Sequence, residues 1–114
     1  MSHLTILPTV LRDAALLFTA LESLHLSPLR EGTLRGFGGE HQPVDVLIHL
    51  NDGLCLGWRR QADGSLGLVG DLQRLNRSNQ LAGLLSKITR TYAAHLALRE
   101  AAAHLPGVRL ELVG

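Results

Sequence analysis

The strongest constraint on the fold is a run of alternating apolar and polar residues that is interrupted twice by an Asp-Gly turn. The segments VDVLIHL (44–50), LCLGW (54–58) and LGLVG (66–70) are separated by NDG and ADGS. Alternation at period two predicts strands with one apolar face, and Asp-Gly predicts tight hairpin turns. The predicted inward residues are Val44, Val46, Ile48 and Leu50 on the first strand and Leu54, Leu56 and Trp58 on the second. This pattern predicts a three-stranded antiparallel meander.

Two segments switch to helical periodicity. After Asp13, which predicts an N-cap or first-turn acid, leucines recur on one helical face until Pro28, which we expect to stop the helix. A longer stripe begins after Ser78 or Asn79, either of which can cap a helix. It continues for about two dozen residues, to the breakers near Pro106.

Three further segments predict strands: SHLTIL (2–7), GTLRGFGG (32–39) and the alternating VRLELV (108–113). The predicted order is β-α-β-β-β-β-α-β. We therefore expect an α+β fold in which an antiparallel meander sheet carries two helices packed on one face. With 114 residues, the chain has room for a single domain, 1–114.

Composition narrows the class of protein. Hydrophobic residues make up 46% and charged residues 18%, which suits a packed core and argues against disorder. The net charge of +1 is too balanced to indicate a nucleic-acid or membrane partner. The start of the chain lacks the basic region of a signal peptide, and no run approaches a membrane span. We expect a soluble, cytoplasmic protein.

Polar residues near the end of the third meander strand and on the long helix are candidates for chemistry. Tyr92 and His95, three residues apart on one helical face, could pair a phenol with a general base, or form a structural hydrogen-bonded pair next to the core. Asp71 could cap a turn, or pair with Arg90 or Arg35. The structural interpretations are favoured.

Other motifs indicate less. The six histidines contain no H-x-x-x-H spacing and there is one cysteine, Cys55, so we expect no metal site and no cofactor. The glycines of RGFGGEH (35–41) precede a strand, which favours a bend over a phosphate-binding loop. Even so, Arg35 and Phe37 could bind an anion or a peptide there. Trp58 is predicted to be a core residue.

Six segments occur in the order seen in a known family: MSHLTI, LRDAALLFTALESLHL, LRGFGG, GLCLGW, LVGDLQ and ITRTYAAHLALREA. Together they resemble the hypothetical chloroplast reading frame thirty-five proteins, small uncharacterised proteins of plastids, cyanobacteria and bacteria. The positions that match are Ser2, His3, Arg35, Gly36, Phe37, Gly39, Gly57, Asp71, Leu72, Gln73, Tyr92 and His95. The resemblance implies no established activity. The family is often thought of alongside AAA-type ATPases in bacterial gene neighbourhoods, which would suit an accessory or adaptor role.

Our leading hypothesis is a protein-interaction module that engages a protein partner, or a second copy of itself, through a sheet edge or face. The alternative is a small enzyme or ligand-binding domain, so whether the chain is an enzyme stays open. The candidate pocket or network comprises His3, Arg35, Asp71, Gln73, Tyr92 and His95. Nucleic-acid binding would rest only on scattered arginines and is not expected.

Overall fold

The computed structural model describes residues 4–36, 39–50, 54–71 and 79–104. Five strands and two helices follow one another within these residues, in an α+β arrangement. The elements are β1 (Leu4–Leu7), α1 (Ala14–Ser23), β2 (Leu29–Arg35), β3 (His41–His49), β4 (Cys55–Arg60), β5 (Leu66–Asp71) and α2 (Asn79–His104).

The five strands form one antiparallel sheet in the order β1-β5-β4-β3-β2. The predicted α+β class, the element order and the meander of β3, β4 and β5 are therefore confirmed. Residues 2–3, the NDG turn and the strand predicted at 108–113 lie outside the described residues. The second strand runs over Leu29–Arg35 rather than over the predicted 32–39.

Both helices pack on the same face of the sheet, which we call the helix face. Its central residue is Trp58, which is 1% exposed and opposes Val46 on β3 and Leu68 on β5. Leu17 and Leu21 of α1 and Ile88 of α2 join this cluster. The predicted core position of Trp58 is confirmed, as is the packing of both helices on one face.

The two ends of α1 follow different rules. At the start, the Asp13 side chain accepts a hydrogen bond from the Leu16 N–H, which confirms the predicted N-cap. The helix ends at Ser23, well before Pro28, because His25 takes the left-handed conformation (φ 60°). The Leu26 and His25 N–H groups then bond back to the Leu21 and Glu22 carbonyls, as in a Schellman motif. The prediction that Pro28 stops the helix was wrong.

The β2–β3 hairpin bends halfway along its length. Its register is regular on both sides of Glu31, but Glu31 itself has a φ of 55° and neither it nor Asp45 appears in the ladder. Beyond this point the faces exchange: Val46 belongs to the helix-face core, whereas Val44 packs with Leu34 in a second cluster. The prediction that Val44 shares a face with Val46 and Ile48 was therefore wrong, because the bend reverses the alternation.

The far half of the hairpin lies over the opposite face of the sheet, which we call the hairpin face. Leu34 and Val44 contact Leu47 and Val69 there. A Cβ on Gly57, at the middle of β4, would lie 2.6 Å from Val44 Cγ1 and 2.7 Å from Leu34 Cδ1. Glycine at this position is what lets the hairpin approach the sheet closely.

We expect Gly57→Ala to destabilise the fold by about 1–3 kcal/mol, because the added methyl group overpacks against Val44 and Leu34. The matched control is Gly83→Ala in α2, where an added Cβ meets no atom within 4 Å. That change should stabilise the fold by up to about 1 kcal/mol through helix propensity. Urea denaturation followed by circular dichroism measures both. Equal effects at the two positions would contradict the close-approach role of Gly57.

Candidate functional site

Strand β1 is one edge of the sheet and carries no charged side chain. It pairs with β5 on one side, and no other described strand pairs with it. Ile6 is 38% exposed and Leu7 is 41% exposed. An apolar edge with unpaired backbone groups is a template for the addition of another strand.

An apolar groove, which we call the β1 groove, opens beside this edge between β1 and α2. Its volume is about 270 Å³. The apolar side chains that line it include Leu7, Val10, Leu11, Trp58, Leu68 and Ile88. Val10, at its mouth, is 79% exposed, the largest exposure among the large hydrophobic residues described. Edge and groove together form a continuous apolar surface, which is typical of a binding site.

The other edge of the sheet, β2, differs in every respect that matters for strand addition. It carries Arg30, Glu31 and Arg35, and the φ of 55° at Glu31 interrupts its regular pleat. The Arg30 guanidinium lies 4.8 Å from the centre of the Phe18 ring, which ties this edge to α1. Charges and bends are features that block edge pairing, so β1 is the more accessible edge.

Ile6, Leu7 and Val10 are not among the site residues predicted from the sequence. The pattern of SHLTIL predicts a strand but does not place it at an edge, because strand order is a property of the whole sheet. The available signal was the absence of charge in LTIL, together with an isolated valine two residues after Pro8.

Tyr92 has a structural role at the start of α1. It is 6% exposed, and its hydroxyl accepts hydrogen bonds from the Asp13 N–H at 3.0 Å and the Arg12 N–H at 3.2 Å. Backbone groups next to a helix start need such acceptors. The hydroxyl therefore joins α2 to the segment that leads into α1.

His95 lies one turn further along α2 and is half-buried. Its Nε2 atom is buried and has no hydrogen-bond partner among the described residues. A buried polar atom without a partner costs free energy. This imidazole therefore either lowers the stability of the fold or contacts another molecule.

The remaining predicted site residues lie elsewhere. Asp71 ends β5 beside Leu4, whereas Leu66 begins β5 and bonds to Leu11, next to the Tyr92 contacts. Asp71 lies five residue steps beyond Leu66, which is roughly 16 Å along an extended strand. The fold thus places Asp71 and Tyr92 at opposite ends of β5. His3 and Gln73 lie outside the described residues.

Arg35 precedes a glycine that lies close to Leu4, the residue that pairs with Asp71. The residue after it, Gly36, is at the tip of the bent hairpin, and a Cβ there would lie 2.9 Å from Leu4 Cγ. Leu4 in turn pairs with Asp71. The candidate residues therefore divide into a corner group, Arg35 and Asp71, and a helix group, Tyr92 and His95.

Cys55 and His49 face each other across β3 and β4. The Cys55 Sγ and His49 Nδ1 atoms are 3.1 Å apart. Burial raises the pKa of the Cys55 thiol, so the thiolate needed for nucleophilic attack is disfavoured. The geometry suits a weak hydrogen bond better than an activated nucleophile.

Neither a metal centre nor a membrane helix is found in the parts of the chain that the structure describes. Within residues 4–36, 39–50, 54–71 and 79–104, no group of three or more His, Cys, Asp or Glu side chains is placed to hold a metal ion. Neither α1 nor α2 is long and apolar enough to cross a membrane.

An ion pair reinforces the contact between α2 and the start of α1. Arg99 Nη1 donates to Asp13 Oδ2 at 2.6 Å, and both side chains are partly exposed. The hydrogen bond from Arg99 and that from the Leu16 N–H hold the pKa of the Asp13 carboxyl below its usual value. Solvent screens such a pair, so its contribution to stability is small.

We expect Tyr92→Phe to destabilise the fold by about 1–2 kcal/mol, because two backbone N–H groups lose their acceptor. His95→Leu, on the same helix, should cost nothing or stabilise the fold, since it removes a buried nitrogen without a described partner. Urea denaturation compares the two variants. A loss of more than about 1 kcal/mol in His95→Leu would show that its imidazole makes a needed contact.

Asp13→Ala should lower stability at neutral pH by about 1 kcal/mol through loss of the N-cap. Because the folded pKa of Asp13 is depressed, its charge-dependent stabilisation is present above the unfolded value near 3.8 and is lost as the pH falls through the folded pKa. The difference between wild type and Asp13→Ala should therefore shrink below pH 3.8. Denaturation at a series of pH values measures it, and a constant difference would contradict the ionic contribution.

Comparison with known proteins assigns the chain to a family. Residues 20–110, which are 91 of the 114 positions, match the model of a family described as a protein of unknown function, DUF1257. No curated protein and no solved structure matches the chain. An uncharacterised family was predicted, and that much is confirmed; the chloroplast reading-frame name is not part of the match. The chain belongs to the DUF1257 family.

Proposed function

We propose that the chain is a small protein-interaction module, an accessory protein that binds an extended apolar segment of a protein partner along β1. One observation carries the proposal: the uncharged, exposed edge of β1 continues directly into the β1 groove. The backbone of the bound segment would pair with β1, and an aliphatic side chain would enter the groove. Main-chain hydrogen bonds would then supply affinity, and the groove would supply specificity.

The partner class follows from the resemblance noted in the sequence. An AAA-type ATPase of the host is the first candidate, and a second copy of the chain is another. An ATPase adaptor needs no catalytic residues of its own, which agrees with the structural use of the Tyr92 hydroxyl. We propose the same cytoplasmic location for both proteins.

A photo-cross-linking experiment tests the docking site. The photoreactive residue p-benzoylphenylalanine is placed at position 7, beside the groove, and in a control chain at position 29 on the other edge. Leu7 is 41% exposed and Leu29 is 50% exposed, so exposure alone does not favour position 7. After irradiation of host cells, mass spectrometry identifies the cross-linked proteins.

We expect position 7 to yield a discrete cross-linked protein that position 29 does not yield, and that Ile6→Lys in the same chain abolishes. The reason is that a lysine on β1 charges the edge that must pair. Cross-links that are equal at positions 7 and 29, or absent at both, would overturn the proposal. Cross-linking to an AAA-type ATPase would also identify the partner.

A small enzyme or ligand-binding domain is the second candidate, and the buried Nε2 of His95 is the observation that favours it. A ligand could form the hydrogen bond that this atom lacks among the described residues. The residues predicted to share its pocket, however, divide between the helix group and the corner group. NMR spectra that follow the His95 imidazole during addition of host metabolite extract test this candidate. Unchanged resonances would exclude ligand binding at this helix.

A further inference from the structure

The course of α2 directs the chain that follows it toward the β1 edge. Ile88 of α2 lines the β1 groove together with Leu7, whereas Arg99, later in the helix, contacts Asp13, which follows β1 in the chain. The helix therefore advances in the same direction as β1 and opposite to β5. A segment that turns back after His104 runs antiparallel to β1, which is a direction in which a strand can pair with it.

The handedness of the connections points to the same edge. Strands β1 and β2 are parallel, with β5, β4 and β3 between them, and α1 connects them across the helix face. Connections of this kind between parallel strands are right-handed in about 98% of cases. Because β5 is antiparallel to β1, a right-handed connection that leaves β5 through α2 must cross the sheet in the opposite direction, away from β2. The position that it reaches is the outer side of β1.

The chain after α2 is long enough to reach β1. Ile88 borders the same groove as Leu7, and His104 lies sixteen residues further along α2, roughly 24 Å at about 1.5 Å per residue. The ten residues 105–114, which lie outside the described part of the chain, can span up to roughly 33 Å when extended. The segment VRLELV (108–113) can therefore return to the level of Leu7.

The alternation of VRLELV agrees with this placement. Leu110 and Leu112 are two residues apart, so in an extended segment they share one face. Beside Leu7, that face would enter the β1 groove, which is lined by apolar side chains. Arg109 and Glu111 would lie on the other face, at the new edge of the sheet, where charged side chains discourage the addition of a further strand.

We infer that segment 108–113 pairs antiparallel with β1 as a sixth strand and places Leu110 or Leu112 in the β1 groove. Where it concerns regulation, this inference rests on the proposed function, because the segment and a protein partner would compete for one edge. A segment tethered by a short connection acts at an effective concentration on the order of millimolar. A partner must displace it, so occupancy by the chain itself weakens partner binding.

Photo-cross-linking of the purified full chain tests the occupancy. With p-benzoylphenylalanine at position 7, we expect links to residues 108–113, and with the same residue at position 29, on the other edge, we expect none. An equal mixture of isotopically light and heavy chains separates links within one chain from links between two copies, since only the latter carry both labels. Mass spectrometry maps the linked peptides.

Hydrogen exchange measures the pairing in the unmodified backbone. Leu110→Asp combined with Leu112→Asp places charges in an apolar groove and should raise the exchange rate of the β1 amides that point away from β5 by about tenfold or more. The matched control, Arg109→Ala combined with Glu111→Ala, changes the outward face and should leave these rates unchanged. Circular dichroism verifies that both variants are folded.

The Leu110→Asp, Leu112→Asp chain also tests the regulation. Because the competing strand is released, capture of a protein partner from position 7 in host cells should increase by about tenfold or more. The Arg109→Ala, Glu111→Ala chain should capture as much as the wild type.

The inference and the proposed function fail in different ways. Links from position 7 that join only different copies, or no link to 108–113 together with equal exchange rates in both variants, would overturn the inference. Capture of another protein in cells would then still support the proposed function. Conversely, links within one chain, with no partner captured by the Leu110→Asp, Leu112→Asp chain, would support the sixth strand and overturn the proposed function.

Discussion

The close approach of the β2–β3 hairpin to Gly57 is the constraint on which the architecture depends. With no side chain at the middle of β4, Val44 and Leu34 can reach the sheet and bury Val69 and Leu47 on the face away from the helices. The sheet therefore has an apolar cluster on both faces. An α+β domain of this size would otherwise leave one face to water, so the bend at Glu31 determines how much of the sheet becomes core.

The bend also determines which edge is accessible. Because the hairpin turns over the sheet, β2 cannot present a flat, regular edge, and its charges remain at its surface. Strand β1, four residues long and uncharged, is left as the regular edge. Protection of one edge and exposure of the other come from the same deformation, which is the physical basis for the proposed role.

Most of the elements could be predicted from local patterns, since alternation and helical periodicity involve residues that are close together in the chain. The meander, the N-cap at Asp13 and the bounds of α2 all follow from such patterns. The end of α1 could not be predicted, because His25 adopts a conformation for which glycine is the usual signal. The position of Val44 could not be predicted either, because the bend depends on contacts between distant strands.

The candidate site was predicted less well, for a related reason. Tyr92 and His95 were singled out by their chemistry, but the partners of Tyr92 are backbone groups eighty residues away in the sequence, at Arg12 and Asp13. No local pattern encodes such contacts. The exposure of Ile6 and Leu7 depends on the order of the strands in the sheet, which local sequence patterns do not predict.

The position of Trp58 gives the chain a built-in optical reporter. It is the single tryptophan of the sequence, it lies beneath the helix layer, and its ring also borders the β1 groove. Its emission therefore responds to two events, separation of the helices from the sheet and filling of the groove. Solvent entry would shift the Trp58 emission to longer wavelength. An aliphatic side chain in the groove would instead keep water away from the ring and change the emission intensity. Unfolding and docking therefore have distinguishable fluorescence signals.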